Sequence, residues 1–433
     1  MKRQHHPLIQ SLLELRGNPR ACVYTEPLWG IPFNLYAPFA TLYMYHLGVR
    51  DAQIGLILTI SMVFQIVASL LGTVMVDKMG RRLSTLVFDM IGWSLPAAIW
   101  MLSQNFWWFV AAAAFNSLFQ VTTVSWNCLM VEDAEPSKLV DMYTWCTISG
   151  LLAIFFAPLA GIMVRTLSLV TAMRILYGIT FVMMTAKFVI LYFWSHETKQ
   201  GLVRMRETSG VPYARMLAQY GGVFRQIFRT PATMQILVII VLLNITNVVG
   251  GSFFSLFATQ NAGVPEWVIA YFPMARAVIM LFFIFGMQHR MSRFPIKGPM
   301  IVGLALYVAA IGFLLLTPSV GRGLLAGFIL LDAFAFALVW PRRDSLLVLH
   351  VDPHERARIL GLLFVLMLAI SSPFGWIAGW LSAVNRALPF LLNVVLYIVC
   401  AVVLLRSRPV SGAEGNDGTP EEPAGPVGSA GVL

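Results

Sequence analysis

Two sets of residues in this 433-residue chain could do chemistry. The first is the run Asp77-Lys78-Met79-Gly80-Arg81-Arg82, one carboxylate and three cations between two long apolar stretches. The second is a few ionisable side chains isolated inside such stretches: Glu26, Asp89, Lys187, Arg276 and Asp332. Charge in apolar sequence needs a partner, and its chemistry is ion pairing, proton exchange or the binding of a charged group.

The elements that must position these residues follow from hydropathy. Hydrophobic residues make up 58% of the chain and charged ones 12%, an apolar excess that no soluble domain needs. Residues 51–76 hold no charge after Asp51, and 83–103 hold only Asp89. At ~1.5 Å per residue each crosses a bilayer core of roughly 30 Å. The same reading along the chain predicts an all-α membrane protein of twelve spans. The first six lie near 22–47, 51–76, 83–103, 106–131, 140–165 and 170–195. The second six lie near 232–259, 266–288, 298–317, 322–341, 357–382 and 387–405.

The expected organisation is an amino-terminal segment (1–21), a six-helix half (22–195), a linker (196–231), a second six-helix half (232–406) and a tail (407–433). In the linker, apolar residues between Val211 and Phe228 alternate with Arg215 and Arg225, the pattern of a helix lying on the membrane surface. The tail is rich in Gly, Pro and acid, with little to bury. The first twenty residues lack a continuous apolar core and a cleavage site, so they are expected to stay on the protein.

The formal net charge of +10 is a matter of topology, not of nucleic-acid binding. With the amino terminus inside, Lys78, Arg81, Arg82 and the linker cations all fall on the inner side, whereas the outer side keeps only Arg50, Arg165, Arg174, Arg322 and Arg386. The positive-inside rule then places both termini in the cytoplasm of an inner or plasma membrane. Cys22, Cys128, Cys146 and Cys400 lie in or beside spans without ligand spacing, as buried free thiols would.

The halves echo one another. VEDAEPSKLVDMY after span four matches VLHVDPHERARILG after span ten, and AIFFAPLAG in span five matches AISSPFGWIAG in span eleven. Parallel repeats six spans apart are the internal symmetry of secondary transporters, with the site between the halves.

Asp77 to Arg82, between spans two and three, resembles the loop motif of the major facilitator superfamily, roughly G-x-x-x-D-R-x-G-R-R. Thr73 stands at the first position, with Gly72 beside it, and Lys78 replaces the usual Arg. Together with twelve spans in two halves, the motif identifies the chain as a member of that superfamily over roughly residues 22–406. The resemblance implies a latch in which Asp77 faces the start of span eleven and Arg81 reaches Glu132 or Asp133. Gly80 supplies the turn, and Arg82 completes the motif. Such a latch biases a two-state equilibrium; the alternative is a simple positive-inside anchor. The second-half counterpart from Gly286 keeps cations but no acid at the matching place.

Depth pairs the isolated charges. Arg276 and Asp332 both sit ~15 Å from the outer ends of spans eight and ten, which predicts a pair near the midplane. It serves either coupling or structure. Asp89 and Lys187 each sit about two turns from the inner ends of spans three and six, which predicts a structural pair. Glu26 either caps a helix beginning at Pro27 or, if the helix starts earlier, enters the cavity as a coupling group.

In the superfamily spans one, four, seven and ten line the cavity. Here they carry Trp29, Asn34 and Tyr36, then Asn116, Gln120, Trp126 and Asn127, then Asn244 and Asn247, and finally Trp340 and Asp344. Amides with aromatic rings suit a hydroxylated solute such as a sugar, and glue between helices is the alternative for any one Asn. Span four lacks the arginine of drug and proton antiporters, and span five keeps only Ala157, Pro158 and Gly161 of their Gly-rich run. Gly323-x-x-x-Gly327 and Gly375-x-x-x-Gly379 allow close packing.

His350, Asp352, His354 and Glu355 form the one cluster that a metal or an enzyme could use, and a solvated loop accounts for them better. No phosphate loop is present, so ATP-driven transport is not indicated. The expectation is a transporter, not an enzyme, without a cofactor. It moves a small organic solute by alternating access, coupled to protons, as a monomer in the lipid bilayer. Uptake of a polar metabolite is the first reading, efflux of amphipathic compounds the second, and a transporter-like sensor or scaffold the alternative of another class.

Overall fold

The computed structural model describes residues 7–135, 138–212, 231–286, 296–349 and 356–406, and these are almost wholly helical. Span one is built from Gly17–Thr25, Pro27–Tyr36 and Ala40–His46, with a tight turn at Ala37–Phe39. Span two is Asp51–Met79. Span three runs through Arg81–Asp89, a single π turn at Met90–Ser94, and Leu95–Leu102. Span four is Phe106–Asn116 and Phe119–Val131, span five Leu139–Ile154 and Ala157–Thr166, and span six Leu169–Trp194.

The second half begins with span seven, Pro231–Gln260. Span eight is the turn Glu266–Ala270 followed by Tyr271–Gly286. Spans nine to twelve are Lys297–Val320, Leu324–Leu349, Arg356–Val384 and Leu388–Arg406. Among the described residues, 10 helices are long and apolar enough to cross a membrane. Spans one and four are the two absent from that set. The twelve form two six-helix bundles, and an even number of crossings puts both termini on one face, here the terminal face; the other is the far face.

Several helices outrun their hydropathy. Span one starts at Gly17, not near 22, and span ten continues to Leu349. A hydropathy count stops at the first charges, whereas backbone hydrogen bonding runs on through the interface. The surface helix expected around 211–228 lies almost wholly outside the described residues, as do most of the loop after Gly286, the His350–Glu355 cluster and the tail. The four cysteines are free.

Prolines shape the breaks. Pro96 has no N–H for the carbonyl four residues back, and Asn116 Nδ2 of span four donates to that Gly92 oxygen at 2.7 Å. A Cβ on Gly92 would lie 2.8 Å from the Phe119 backbone nitrogen, so glycine lets spans three and four approach at the break in span four. Pro373 frees the carbonyl of Ala369, and the Ser372 hydroxyl donates to it at 3.0 Å.

The halves meet toward the far face. Spans two and eleven touch backbone to backbone there: a Cβ on Gly55 would fall 2.4 Å from the Gly375 carbonyl oxygen and 2.7 Å from Gly379 Cα. One turn along, the Thr59 hydroxyl donates to the Ser372 carbonyl at 2.6 Å and accepts from the Trp376 amide at 2.8 Å. It thereby inserts into one rung of span eleven's own ladder. At the end of span two, buried Asp51 accepts from Ser382 at 2.7 Å and from Arg386 at 3.1 Å. His46 meets Glu266 at 2.6 Å, and Arg165 lies over the Trp267 ring at 5.3 Å. The pairing expected of Gly375-x-x-x-Gly379 is therefore with span two, while a Cβ on Gly327 would meet the ring of Phe313 in span nine at 2.6 Å.

Candidate functional site

The charged run at the terminal face is a built cluster. Span two ends at Gly80, whose φ of 83° and ψ of 166° belong to a region open only to glycine. The next helix starts at Arg81 without a capping side chain of its own. Glu197, just after span six, supplies one: its carboxylate accepts the backbone N–H of Arg81 at 2.8 Å and of Arg82 at 3.0 Å. A Cβ on Gly80 would lie 2.5 Å from that carboxylate. Gly80→Ala is thus expected to destabilise the protein by about 1–3 kcal/mol through backbone strain, and to disturb the Glu197 cap. A melting curve in detergent checks this, and an unchanged midpoint would contradict it.

Arg81 is 5% exposed and lies between two acids. Its Nη1 is 3.1 Å from Asp77, and its Nε and Nη2 both reach Glu132 Oε1 at 3.1 Å. Arg82 donates to the Tyr192 carbonyl at 2.9 Å and stacks 4.0 Å over the Tyr192 ring. The helix Lys199–Thr208 docks on the same knot. Arg204 pairs with Asp77 at 2.8 Å, the Thr208 hydroxyl donates to the Asp77 carbonyl at 3.2 Å, and Lys78 donates to the Val211 carbonyl at 2.6 Å. The Thr198 hydroxyl donates to Glu132, and the Lys199 amide donates to Asp133 at 3.3 Å. The hydrogen bond to Asp77 raises the Arg204 guanidinium above its ordinary pKa. Of the two acids suggested for Arg81, Glu132 is the one it meets. Asp77 spends both oxygens on Arg81 and Arg204; the side chains of residues 350–360, where span eleven begins, lie outside the described part.

In the second half Arg276 Nε stands 3.2 Å from Asp332, both partly buried, and the Arg276 guanidinium lies 4.2 Å over the Phe336 ring. Asp332, Phe336, Trp340 and Asp344 recur every four residues, one stripe along span ten. Trp340 stacks on Phe336 at 5.2 Å, donates to the Tyr307 hydroxyl at 3.3 Å and has Arg343 4.1 Å over its ring. Arg343 pairs with Asp344 at 2.6 Å.

The first half departs from its expected pairing. Lys187 forms its ion pair with Glu26, at 2.9 Å, and not with Asp89. Glu26 is helical between two helical segments and makes no side-chain cap. The helix has already begun at Gly17, so the capping reading gives way to a buried charge. Lys187 lies 5.7 Å from each of the rings of Trp29 and Trp126. Asp89, 3% exposed, stays within electrostatic reach of both partners.

Most of the amides expected to face a solute are engaged elsewhere. Asn34 donates to the Gly30 carbonyl at 2.8 Å and Asn127 to that of Thr123 at 2.7 Å, each within its own helix. Asn116 serves Gly92, as above, and Gln120 donates to Gln65 at 3.0 Å. Tyr36 is buried against Tyr177 and Trp100, with centroids at 5.1 and 5.8 Å, inside its own bundle. Asn244 is buried with its Nδ2 lacking a partner among the described residues, and Asn247 is half-buried.

The superfamily profile described as Major Facilitator Superfamily matches residues 30–375. The chain belongs to the Major Facilitator Superfamily. Among curated members it is similar to the multidrug resistance protein MdtG of Citrobacter koseri, 25% identical over 193 residues, 42% of this chain and 47% of that one. The MdtG of Yersinia enterocolitica is 26% identical over 175 residues, 39% of this chain and 41% of its own. The matched stretch thus spans about half the length of these relatives or less. Among solved structures the fold is similar to the nucleoside transporter NupG, with TM-score 0.70, 12% identity, and coverage of 90% of this chain and 99% of that chain. The human organic anion transporter MFSD10 superposes with TM-score 0.61, 16% identity, and coverage of 92% and 100%.

Within this superfamily fold, sequence reasoning missed Glu197, Arg204 and Thr198, which dock the linker, and Asp51, Thr59 and Arg386, which join the halves. One signal was available for Glu197. A helix starting directly after Gly80, with no Ser, Thr or Asp to cap it, must find an acceptor for its first amides elsewhere.

Proposed function

We propose that the chain is a secondary transporter that moves an amphipathic organic solute by alternating access, in exchange for or together with protons. One observation carries this reading: each half holds an ion pair withdrawn from solvent and set among aromatic rings, Glu26 with buried Lys187 beside Trp29 and Trp126, and partly buried Arg276 with Asp332 beside Phe336. Rings with a few charges suit a solute that is largely apolar and carries an ionisable group. The polar-metabolite reading rested on six amides, of which Asn34, Asn116, Gln120 and Asn127 are spent on packing, and it loses weight accordingly. The multidrug resistance names of the curated relatives support efflux as the direction.

In this scheme the terminal face is cytoplasmic, a placement that the excess of cations on that side supports. The contacts of Gly55, Thr59, Asp51 and His46 close the far side, and they break when the cavity opens there. The knot at Asp77 opposes that change from the other face. While the far side is closed, Arg204 holds Asp77 to the linker. Its release lets the carboxylate meet the start of span eleven.

The test is accumulation of a fluorescent amphipathic cation in proteoliposomes under an imposed pH gradient, with sugars as competitors. Asp332→Asn should cut gradient-driven accumulation at least roughly tenfold, since it leaves the partly buried Arg276 without its counter-charge. Inhibition by sugars and not by amphiphiles would return the reading to polar uptake. No dependence on the gradient would remove proton coupling.

A further inference from the structure

The two halves differ in charge balance. In the carboxy-terminal half Arg276 faces one carboxylate, Asp332. In the amino-terminal half one ammonium, Lys187, faces two acids. Glu26 lies 2.9 Å from it, and Asp89 lies within electrostatic reach of both. Lys187 is 5% and Asp89 3% exposed. The described groups around them complete the set: span one brings Cys22 and Trp29, span four Thr122 and Trp126, and span five Cys146. None of these adds a cation. The Trp126 indole nitrogen is buried there without an acceptor among the described residues.

With every group ionised, this interior pocket would hold one uncompensated negative charge. Burying an unpaired carboxylate costs far more than burying a carboxylic acid, so the pocket takes up a proton. Glu26 already has the ammonium at hydrogen-bond distance, which leaves Asp89 as the acid without a salt-bridge partner among the described residues.

We propose that Glu26, Lys187 and Asp89 form a proton-binding site in the amino-terminal half, with Asp89 carrying the exchangeable proton. The step is simple in its balance. The Asp89 O–H bond breaks, the proton passes to water, and the carboxylate so formed competes with Glu26 for Lys187. Glu26 is thereby loosened, at the junction between Gly17–Thr25 and Pro27–Tyr36, the second of which carries Pro32 inside it. Proton release at span three thus reaches span one through a single lysine that can serve only one acid well at a time. The coupling role rests on the transporter reading; the protonation itself does not.

Infrared spectroscopy of the purified protein separates the two. At neutral pH the wild type should show the carbonyl stretch of a buried protonated carboxylic acid. That band should shift on carbon-13 labelling of aspartate, stay put on labelling of glutamate, and vanish in Asp89→Asn and in Glu26→Gln. Absence of the band at neutral pH, or a shift on glutamate labelling, overturns the proposal whether or not the protein transports anything. In proteoliposomes Asp89→Asn should keep counterflow of a fluorescent amphipathic cation and lose at least roughly tenfold of its gradient-driven accumulation. Full gradient-driven accumulation in that variant also overturns it. Should Asp89→Asn fail to fold, the labelled wild type alone decides.

Discussion

Replacing Gly55 with valine is expected to hold the far face open and to stop transport while leaving both bundles folded. The reason is distance: a Cβ at Gly55 would already sit 2.4 Å from the Gly375 carbonyl and 2.8 Å from the Gly379 nitrogen, with no flexible side chain to yield. Spans two and eleven must therefore part. As they do, they lose the bonds of Thr59 to Ser372 and Trp376 and those of Asp51 to Ser382 and Arg386. Overpacking of a close contact costs about 1–3 kcal/mol, and each lost hydrogen bond adds roughly 1 kcal/mol. A shift near 3 kcal/mol changes the ratio of closed to open forms about a hundredfold. Ser382, 3% exposed here, gives the readout. A cysteine in its place should react with a membrane-impermeant thiol reagent far faster in the Gly55→Val background. Equal reactivity with normal transport would show that the contact does not govern access.

The second large effect is at Arg81. Its guanidinium holds Asp77 and Glu132 together at 3.1 Å each, and Arg81 and Asp77 are nearly excluded from solvent. Removing one partner of a buried charge network leaves the others uncompensated, at about 3–5 kcal/mol. Arg81→Met should therefore lower the melting midpoint more than any other single change in the motif, and Arg81→Lys should not restore it, because a point charge cannot fork between two carboxylates. Arg82, which stacks on Tyr192 and bonds a carbonyl, should tolerate Lys far better. Melting curves of the three variants in one detergent check the order, and equal midpoints for Arg81→Lys and wild type would contradict it.

Hydropathy and depth made much of this legible. Twelve spans and the Arg276 to Asp332 pair follow from where charges interrupt apolar runs, and the Gly80 turn from the short link between spans two and three. The reach of Arg81 to Glu132 or Asp133 comes from the resemblance of the loop motif, which leaves the two acids open. Lys187 shows what depth leaves out. Glu26 and Asp89 lie at nearly its level in the membrane, and counting residues from a helix end fixes height but not direction around the axis. Only the packed bundle turns the lysine toward span one. The same gap misdirected Tyr36, Asn116 and Gln120, which have the right spans and the right depth but face their own bundle. The amides also had a local use that composition conceals, because Pro96 leaves the carbonyl of Gly92 for Asn116 to satisfy. The linker contacts of Glu197 and Arg204 lie in polar sequence without periodicity, where no pattern distinguishes a docked residue from a solvated one.

The two halves are expected to alternate about the far-face contact, and distances between spin labels report that motion. One pair, at Gln104 and Ala383, reports the far face; the other, at Gln200 and Arg406, reports the terminal face. All four positions are exposed, and the labels go into a background free of native cysteines. On changing pH or adding an amphipathic solute, a longer far-face distance should gain population as the terminal-face distance shortens. Gly55→Val should lock the longer far-face distance in place. A single fixed distance at both faces under every condition would contradict alternation.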